Sequence, residues 1–231
     1  MGEVESFEIE SSYRSFIDTK EFPCIAAKAA LARQQISCLV VDHLACPKDD
    51  HAITRFLHAF IDTFRDASEL YNSAAVIFKG PTTTTEEEFD NLFWDRLQAL
   101  SDIDAARYLY DNRVGNDPEH SSFSFSIKQE AFYIIGLHPA ASRLARRFDY
   151  PVIVFNPHSQ FEQLREANKY EPMKKAIRNR DVTFSGTVNP MLSDFGTNSE
   201  VLQYSGRQYG NNWKCPFVSH HDANTESHSA T

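Results

Sequence analysis

The side chains best suited to binding or catalysis are concentrated in residues 189–217, NPMLSDFGTNSEVLQYSGRQYGNNWKCPF. They include two carboxylates, Asp194 and Glu200, together with Arg207 and the thiol of Cys215. The segment has neither the apolar period of a helix nor that of a strand. Long irregular segments in compact domains are usually functional or disordered, and this one is too aromatic for disorder. We therefore predict that residues 189–217 hold a ligand.

The two carboxylates and the thiol each admit a chemical and a structural interpretation. Asp194 and Glu200 could hold a guanidinium group through paired charge-assisted hydrogen bonds. Alternatively, Asp194 caps a turn and Glu200 pairs with Arg207. Cys215 could give a thiolate to a haem iron, or it could be a buried structural thiol. Spacing alone leaves these alternatives open.

Two histidines follow predicted strands, where a sheet fixes the backbone and leaves a side chain accessible. His138 ends the apolar run AFYIIGL, and His158 follows PVIVF. Arg143 and Arg147 share a face of a predicted helix and could pair with carboxylates such as haem propionates. Neither histidine has the spacing of a metal site, so spacing alone favours structural roles for both.

The elements that must position these residues alternate between strand and helix patterns. Thr85 and Glu88 form a capping box before an amphipathic helix. We predict strands at 36–41, 73–78, 123–127, 131–137 and 151–155, and helices at 21–33, 51–71, 86–100, 139–148, 159–170 and 173–180. The pattern predicts one α/β or α+β domain over residues 21–217, with a central mixed sheet of about five strands flanked by helices. Residues 1–20 are expected to be a flexible or helical lead-in, and residues 218–231 a disordered tail.

Composition excludes several functional classes. The chain has 231 residues, and its 18 phenylalanines indicate a deep apolar interior or pocket. A net charge of −9 argues against nucleic acids and anionic membranes as partners and is compatible with a cationic substrate. No apolar run approaches the roughly 20 residues of a membrane helix, and the acidic start is not a secretory signal. We therefore expect a cytoplasmic protein.

Other motifs are equally restrictive. The four cysteines form no CxxC pair, so neither a zinc knuckle nor disulfides are expected. The sequence contains no P-loop, dinucleotide fingerprint, HExxH helix or GxSxG nucleophile elbow. These absences remove the common nucleotide-binding, zinc-protease and esterase interpretations.

Several segments together resemble the YqcI/YcgG family. They are FPCIAAKAAL, FDNLFWDRLQAL, GLHPAASRLARRF, VIVFNPHSQFEQLR and the NPMLSDFG to WKCPF segment, which span roughly residues 21–217. Within that family the chain is most similar to the haem-dependent guanidine N-hydroxylases of the pre-guanitoxin N-hydroxylase type. The resemblance implies a haem b enzyme that uses O2 and electrons to N-hydroxylate a guanidine-containing, arginine-like small molecule.

The resemblance also implies roles for individual residues. HPAASR and NPHSQF make His138 the first choice of iron ligand, with His158 and Cys215 as alternatives. Arg143 and Arg147 are expected to bind the haem as well. The residues expected to line the substrate pocket are Asp194, Glu200, Tyr204 and Arg207.

The implied partners are a guanidine or amine substrate and an electron donor of unspecified kind, and a homodimer is compatible with the pattern. Two other functions stay open: a haem-binding sensor without turnover, and a haem-free binder of a small metabolite. A visible spectrum separates the haem-free function from the other two.

Overall fold

The structure is a computed structural model that describes residues 2–66, 69–187, 191, 196–210 and 212–221. Its helices are α1 (Gly2–Asp18), α2 (Ile25–Ala32), α3 (Asp50–Asp66), α4 (Glu86–Ala105), α5 (His158–Glu166), α6 (Tyr170–Ser185) and α7 (Val201–Tyr204). Its strands are β1 (Ile36–His43), β2 (Ser73–Gly80), β3 (Phe125–Ile127), β4 (Glu130–Leu137) and β5 (Val152–Pro157). The predicted single α/β domain with a mixed five-stranded sheet is confirmed.

The sheet order is β1-β2-β5-β4-β3. Strands β1 and β2 are parallel, whereas β2–β5, β5–β4 and β4–β3 are antiparallel. Alternate side chains point to opposite faces, so β2 places Val76 in the core beneath α3 and α4 and Ile77 in the core beneath α1 and α2. The sheet therefore separates two apolar layers.

Helix α4 begins where the sequence predicts. The Thr85 side chain accepts a hydrogen bond from the Glu88 amide, and the Glu88 carboxylate accepts one from the Thr85 amide, which completes the capping box. Phe89, Phe93 and Leu97 recur at helical spacing and are all buried against the sheet.

One local expectation is narrowed and two need correction. Of the two forms expected for the lead-in, flexible and helical, the structure has the helix, because Ile9, Tyr13 and Ile17 recur every four residues and are buried against the sheet. The predicted helix at 139–148 contains only a short 3-10 turn, Leu144–Arg146. The predicted disordered tail begins too early, because residues 218–221 pack against α4; residues 222–231 lie outside the described residues.

The His221 side chain is fully buried and contacts Asp104, which His58 and the Lys128 amide also reach. None of the helices in the described residues is long and apolar enough to cross a membrane.

Candidate functional site

A cavity of about 310 Å³ lies between the sheet and helices α2, α5 and α6, at the small end of the range for ligand pockets. We call it the α6 cavity. Its walls are largely apolar and include Phe22, Leu137 and Val154. Tyr133 from β4 and Asn156 from β5 supply polar groups from the sheet side. This combination of an apolar wall and a few polar groups is typical of a small-molecule site.

Helix α6 covers the cavity with little packing of its own. Among its side chains only Asp181 is buried. Arg143 forms an ion pair with Asp181 at 2.5 Å and also donates to the Thr187 carbonyl at 2.9 Å. Since α6 buries few of its side chains, the Arg143–Asp181 ion pair is an important link between α6 and the loop after β4.

The structure brings three of the predicted site residues to the α6 cavity. Arg143, His158 and Glu200 all line it, although they come from three separate segments of the chain. More cationic than acidic side chains line the cavity. The acids are Asp181 and Glu200, and the cations are Arg143, Arg146, Arg165, Lys174 and Arg178. A molecule with an anionic group and an apolar body would therefore be complementary to it.

His158 is the first residue of α5, and its side chain is buried. Burial, helped by the positive charge of Arg165, lowers the pKa of His158 to about 4. The imidazole is thus neutral at physiological pH. A neutral imidazole is the form that ligates a metal.

Each histidine directly follows a strand, as expected, but His138 does not line the cavity. Strands β4 and β5 are antiparallel, with Leu137 opposite Val152 and Phe132 opposite Pro157. The two histidines are therefore at opposite ends of the strand pair, and the strand ends that precede them, Leu137 and Pro157, are about 17 Å apart along the strand. They cannot ligate the same iron.

The environment of His138 is unusual. Its side chain is fully buried, and the ring stacks on Phe89 with 4.1 Å between centroids. Neither ring nitrogen has a hydrogen-bond partner among the described residues. Burial and the charge of Arg146 lower the pKa of His138 to about 4. Buried polar atoms are nearly always paired, so this imidazole needs an explanation.

The arginine that sequence reasoning missed is Arg146. Its guanidinium lines the cavity and donates to the carbonyls of Gly136, Gln203 and Tyr204 at 3.0, 2.9 and 3.1 Å. It forms no ion pair within the described residues. By contrast, Arg147 is exposed and donates to the carbonyls of its own turn rather than lining the cavity.

A 3-10 reading of SRLARR would have found Arg146. In a 3-10 turn, residues three apart share a side, which pairs Arg143 with Arg146. The helical reading paired Arg143 with Arg147 instead.

Glu200 is buried at the cavity wall and accepts hydrogen bonds from Ser124 Oγ and the Tyr204 hydroxyl, both at 2.5 Å. Burial raises the pKa of Glu200 to about 7, although these two donors oppose the rise. The alternative pairing of Glu200 with Arg207 is wrong, because Arg207 pairs with Asp90 and Glu87, each at 3.2 Å.

Two other predicted substrate residues do not line the cavity. Tyr204 is fully buried behind Glu200, where its hydroxyl also meets the Phe132 carbonyl and the Phe125 amide. Arg207 lies on the α4 side. Asp194 falls outside the described residues.

The thiols behave as small apolar groups. Cys215 packs against the core beneath α4, and burial raises its pKa to about 12, so it stays protonated. Cys24 lines the cavity at the start of α2, and burial raises its pKa too. All four cysteines are free.

A protein-family model matches residues 13–218 of this chain, and its description is YqcI/YcgG family. The chain belongs to the YqcI/YcgG family. No curated protein and no solved structure matches it. Among the described residues of this YqcI/YcgG protein, no group of three or more His, Cys, Asp or Glu side chains could hold a metal ion. A haem iron needs fewer protein ligands, because the porphyrin supplies its equatorial nitrogens.

Proposed function

We propose that this protein is a haem-dependent monooxygenase that N-hydroxylates a guanidine-containing, arginine-like small molecule with O2 and electrons. The observation that carries the proposal is the α6 cavity itself. One cavity combines a neutral imidazole, several guanidinium groups, apolar walls and a carboxylate. These are the groups that a haem and a guanidinium substrate require together.

The cavity residues fit a haem in their chemistry. His158 offers a neutral imidazole to the iron. Arg146, which has no carboxylate partner among the described residues, would bind a propionate, with Arg143 beside it. Phe22, Leu137 and Val154 supply apolar contact for the ring. Bound haem would supply the activation of O2.

The chain's own groups would position the substrate. Glu200 Oε1 is occupied by Ser124 and Tyr204, while Oε2 has no hydrogen-bond partner within the described part of the chain. A guanidinium group could donate to Oε2 when the carboxyl is ionised. Asp194 remains a predicted second carboxylate. Helix α6 would exclude water from the bound substrate.

His138 is the alternative iron ligand, because its two unpaired ring nitrogens have no other role in the described structure. It is second to His158 because it does not line the cavity. Cys215 packs against the core beneath α4 and does not line the α6 cavity, which argues against a thiolate ligand there.

The first experiment is a visible spectrum of haem-supplemented protein, with His158→Ala, His138→Ala and the exposed His51→Ala compared. We expect about one haem per chain and a Soret band that His158→Ala alone removes or shifts. Loss of the band in His138→Ala but not in His158→Ala would transfer the ligand role to His138. Absence of any stoichiometric Soret band would end the haem proposal and favour a haem-free metabolite binder.

The second experiment is turnover. Arginine and simple guanidines are supplied with O2 and a reductant, and N-hydroxylated product is measured by mass spectrometry. Haem binding without product from any guanidine would favour the sensor alternative.

A further inference from the structure

A continuous row of oxidisable aromatic rings crosses the molecule from the surface to the α6 cavity. Half-buried Trp213 lies 6.1 Å from Trp94 between ring centroids. Trp94 stacks on Tyr204 at 6.0 Å with an interplanar angle of 23°. Tyr204 meets Tyr133 at 5.8 Å, and Tyr133 lines the cavity.

These ring types matter because tryptophan and tyrosine lose one electron far more easily than phenylalanine. Electron tunnelling falls steeply with distance, so successive ring contacts allow a hole to move in short steps. The chain has only two tryptophans, and both belong to this row. Phenylalanines, which cannot carry a hole under the same conditions, supply most of the other aromatic rings in the surrounding core.

The row also contains proton acceptors where oxidised tyrosine needs them. A phenol that loses an electron must release its proton. Tyr204 donates to the Glu200 carboxyl at 2.5 Å, so a base is in contact with the hydroxyl. Tyr209, which stacks on Trp213 at 3.6 Å, donates to Asp90 and forms a side branch. Within the described residues, Tyr133 donates to the Gln203 side-chain oxygen, a much weaker base.

We propose that Trp213, Trp94, Tyr204 and Tyr133 form an electron-transfer chain between the surface and the α6 cavity, with Glu200 accepting the Tyr204 proton. An oxidant in the cavity takes one electron from Tyr204 by tunnelling across the Tyr133 ring, which stays reduced and keeps its proton, and Tyr204 releases its own proton to Glu200. Trp94 then reduces the Tyr204 radical, which takes its proton back from Glu200, and Trp213 reduces the Trp94 radical in turn. A soluble thiol or ascorbate-type reductant finally supplies the electron to Trp213.

The identity of the cavity oxidant rests on the proposed haem function, whereas conduction along the rings does not. In a haem enzyme this chain would remove oxidising equivalents that form when no substrate is bound. It would thereby protect the cavity walls from oxidation.

Pulse radiolysis of haem-free protein tests conduction directly. Azide radicals oxidise tryptophan selectively, and Trp94 is buried, so Trp213 is the tryptophan they reach. We compare Tyr209→Phe, which removes the side branch, with Tyr209→Phe/Trp94→Phe. The first should show decay of the tryptophanyl band with matching growth of the tyrosyl band, at a rate independent of protein concentration. The second should lose that growth.

Tyr204→Phe in the Tyr209→Phe background keeps the ring and removes the hydroxyl, so the tryptophanyl radical should persist. Tyr108→Phe, a tyrosine outside the row, is the matched control and should change nothing. Circular dichroism checks that each variant folds. Equal tyrosyl growth with and without Trp94, or with and without the Tyr204 hydroxyl, would overturn the proposal.

The outcomes also separate this inference from the proposed function. Radical transfer without a Soret band would keep the chain and remove haem as its oxidant. A Soret band and turnover without radical transfer would keep the enzyme and remove the chain.

Discussion

At the scale of single residues, Glu200 links the protonation of the cavity to folding stability. Its pKa is about 7 in the folded state against an ordinary value of 4.5. Between these values the folded protein holds a proton that the unfolded chain has released. Stability contributed by this group is therefore present at low pH and is lost as pH rises toward 7.

Glu200→Gln should consequently gain stability relative to the native chain as pH rises from about 5 to 8, by roughly 1–3 kcal/mol. The amide oxygen can still accept from Ser124 and Tyr204. Melting temperatures across this pH range measure the effect, with exposed Glu166→Gln as control. A constant difference between Glu200→Gln and the native chain would show that the carboxyl is ionised throughout.

The same carboxyl should control substrate binding in the opposite sense. Only ionised Glu200 attracts a guanidinium group, so affinity for a guanidine should increase between about pH 6 and 8. Glu200→Gln should abolish that pH dependence and raise the apparent KM while haem stays bound. Unchanged KM in Glu200→Gln would remove the carboxylate from substrate recognition.

Cys215 gives a contrasting expectation. Its half-buried, protonated thiol packs against the core, so Cys215→Ser places a hydroxyl among apolar neighbours. We expect a loss of about 1–2 kcal/mol in unfolding free energy with an unchanged Soret band. A ferrous–CO band of thiolate type that disappears in Cys215→Ser would reverse this assignment.

At the scale of elements, α6 is held over the cavity more by charge than by packing. Asp181→Asn would leave the nearly buried Arg143 without its ion partner, at a cost on the order of 3 kcal/mol. Hydrogen exchange in 170–185 should accelerate and ligand dissociation should quicken. Lys175→Ala, on the exposed side of the same helix, is the control. Exchange rates that match this control would mean that other contacts hold α6.

Elements with a strong local signal could be predicted from the sequence. The capping box of Thr85 and Glu88 fixed the start of α4, and the apolar runs located all five strands. The segment after β4 was predicted as a helix because its arginines matched helical spacing. In the structure Arg146 and Arg147 donate to main-chain carbonyls, which stabilise a turn instead. Helical periodicity cannot reveal such side-chain bonds.

At the scale of the whole molecule, the direction of neighbouring strands determines which candidate residues line the same cavity. The sequence identified Arg143, His158 and Glu200 as candidates, and all three line one cavity. It could not show that β4 and β5 are antiparallel, because an apolar run gives no information on its partner's direction. His138 was therefore grouped with His158 although the sheet holds them apart.

Residues 218–221 are held against α4 in part by Asp104, whose fully buried carboxylate contacts His221. Burial would raise the pKa of Asp104, but hydrogen bonds from His221, His58 and the Lys128 amide lower it below its ordinary value of 3.8. This contribution to stability is present above that value and is lost as pH falls through the lowered pKa. Asp104→Asn should therefore destabilise the protein at pH 7 by about 1–3 kcal/mol and much less near pH 3. Chemical unfolding at both pH values measures the effect. An equal loss of unfolding free energy at pH 7 and pH 3 would contradict a role for the ionised Asp104 carboxylate in holding residues 218–221.

The arginine-lined cavity lies inside a molecule whose net charge is −9, and this opposition of sign has a kinetic consequence. Ligands are steered by the long-range field before they touch the cavity, and salt screens that field over about 8 Å at physiological ionic strength. An anionic haem is repelled at a distance, whereas an alkylguanidinium ion is attracted. Adding salt should thus speed the capture of haem and slow the capture of the guanidinium, which stopped-flow mixing can follow. The protein would load the proposed haem most readily in the medium in which it gathers the proposed guanidinium substrate most slowly.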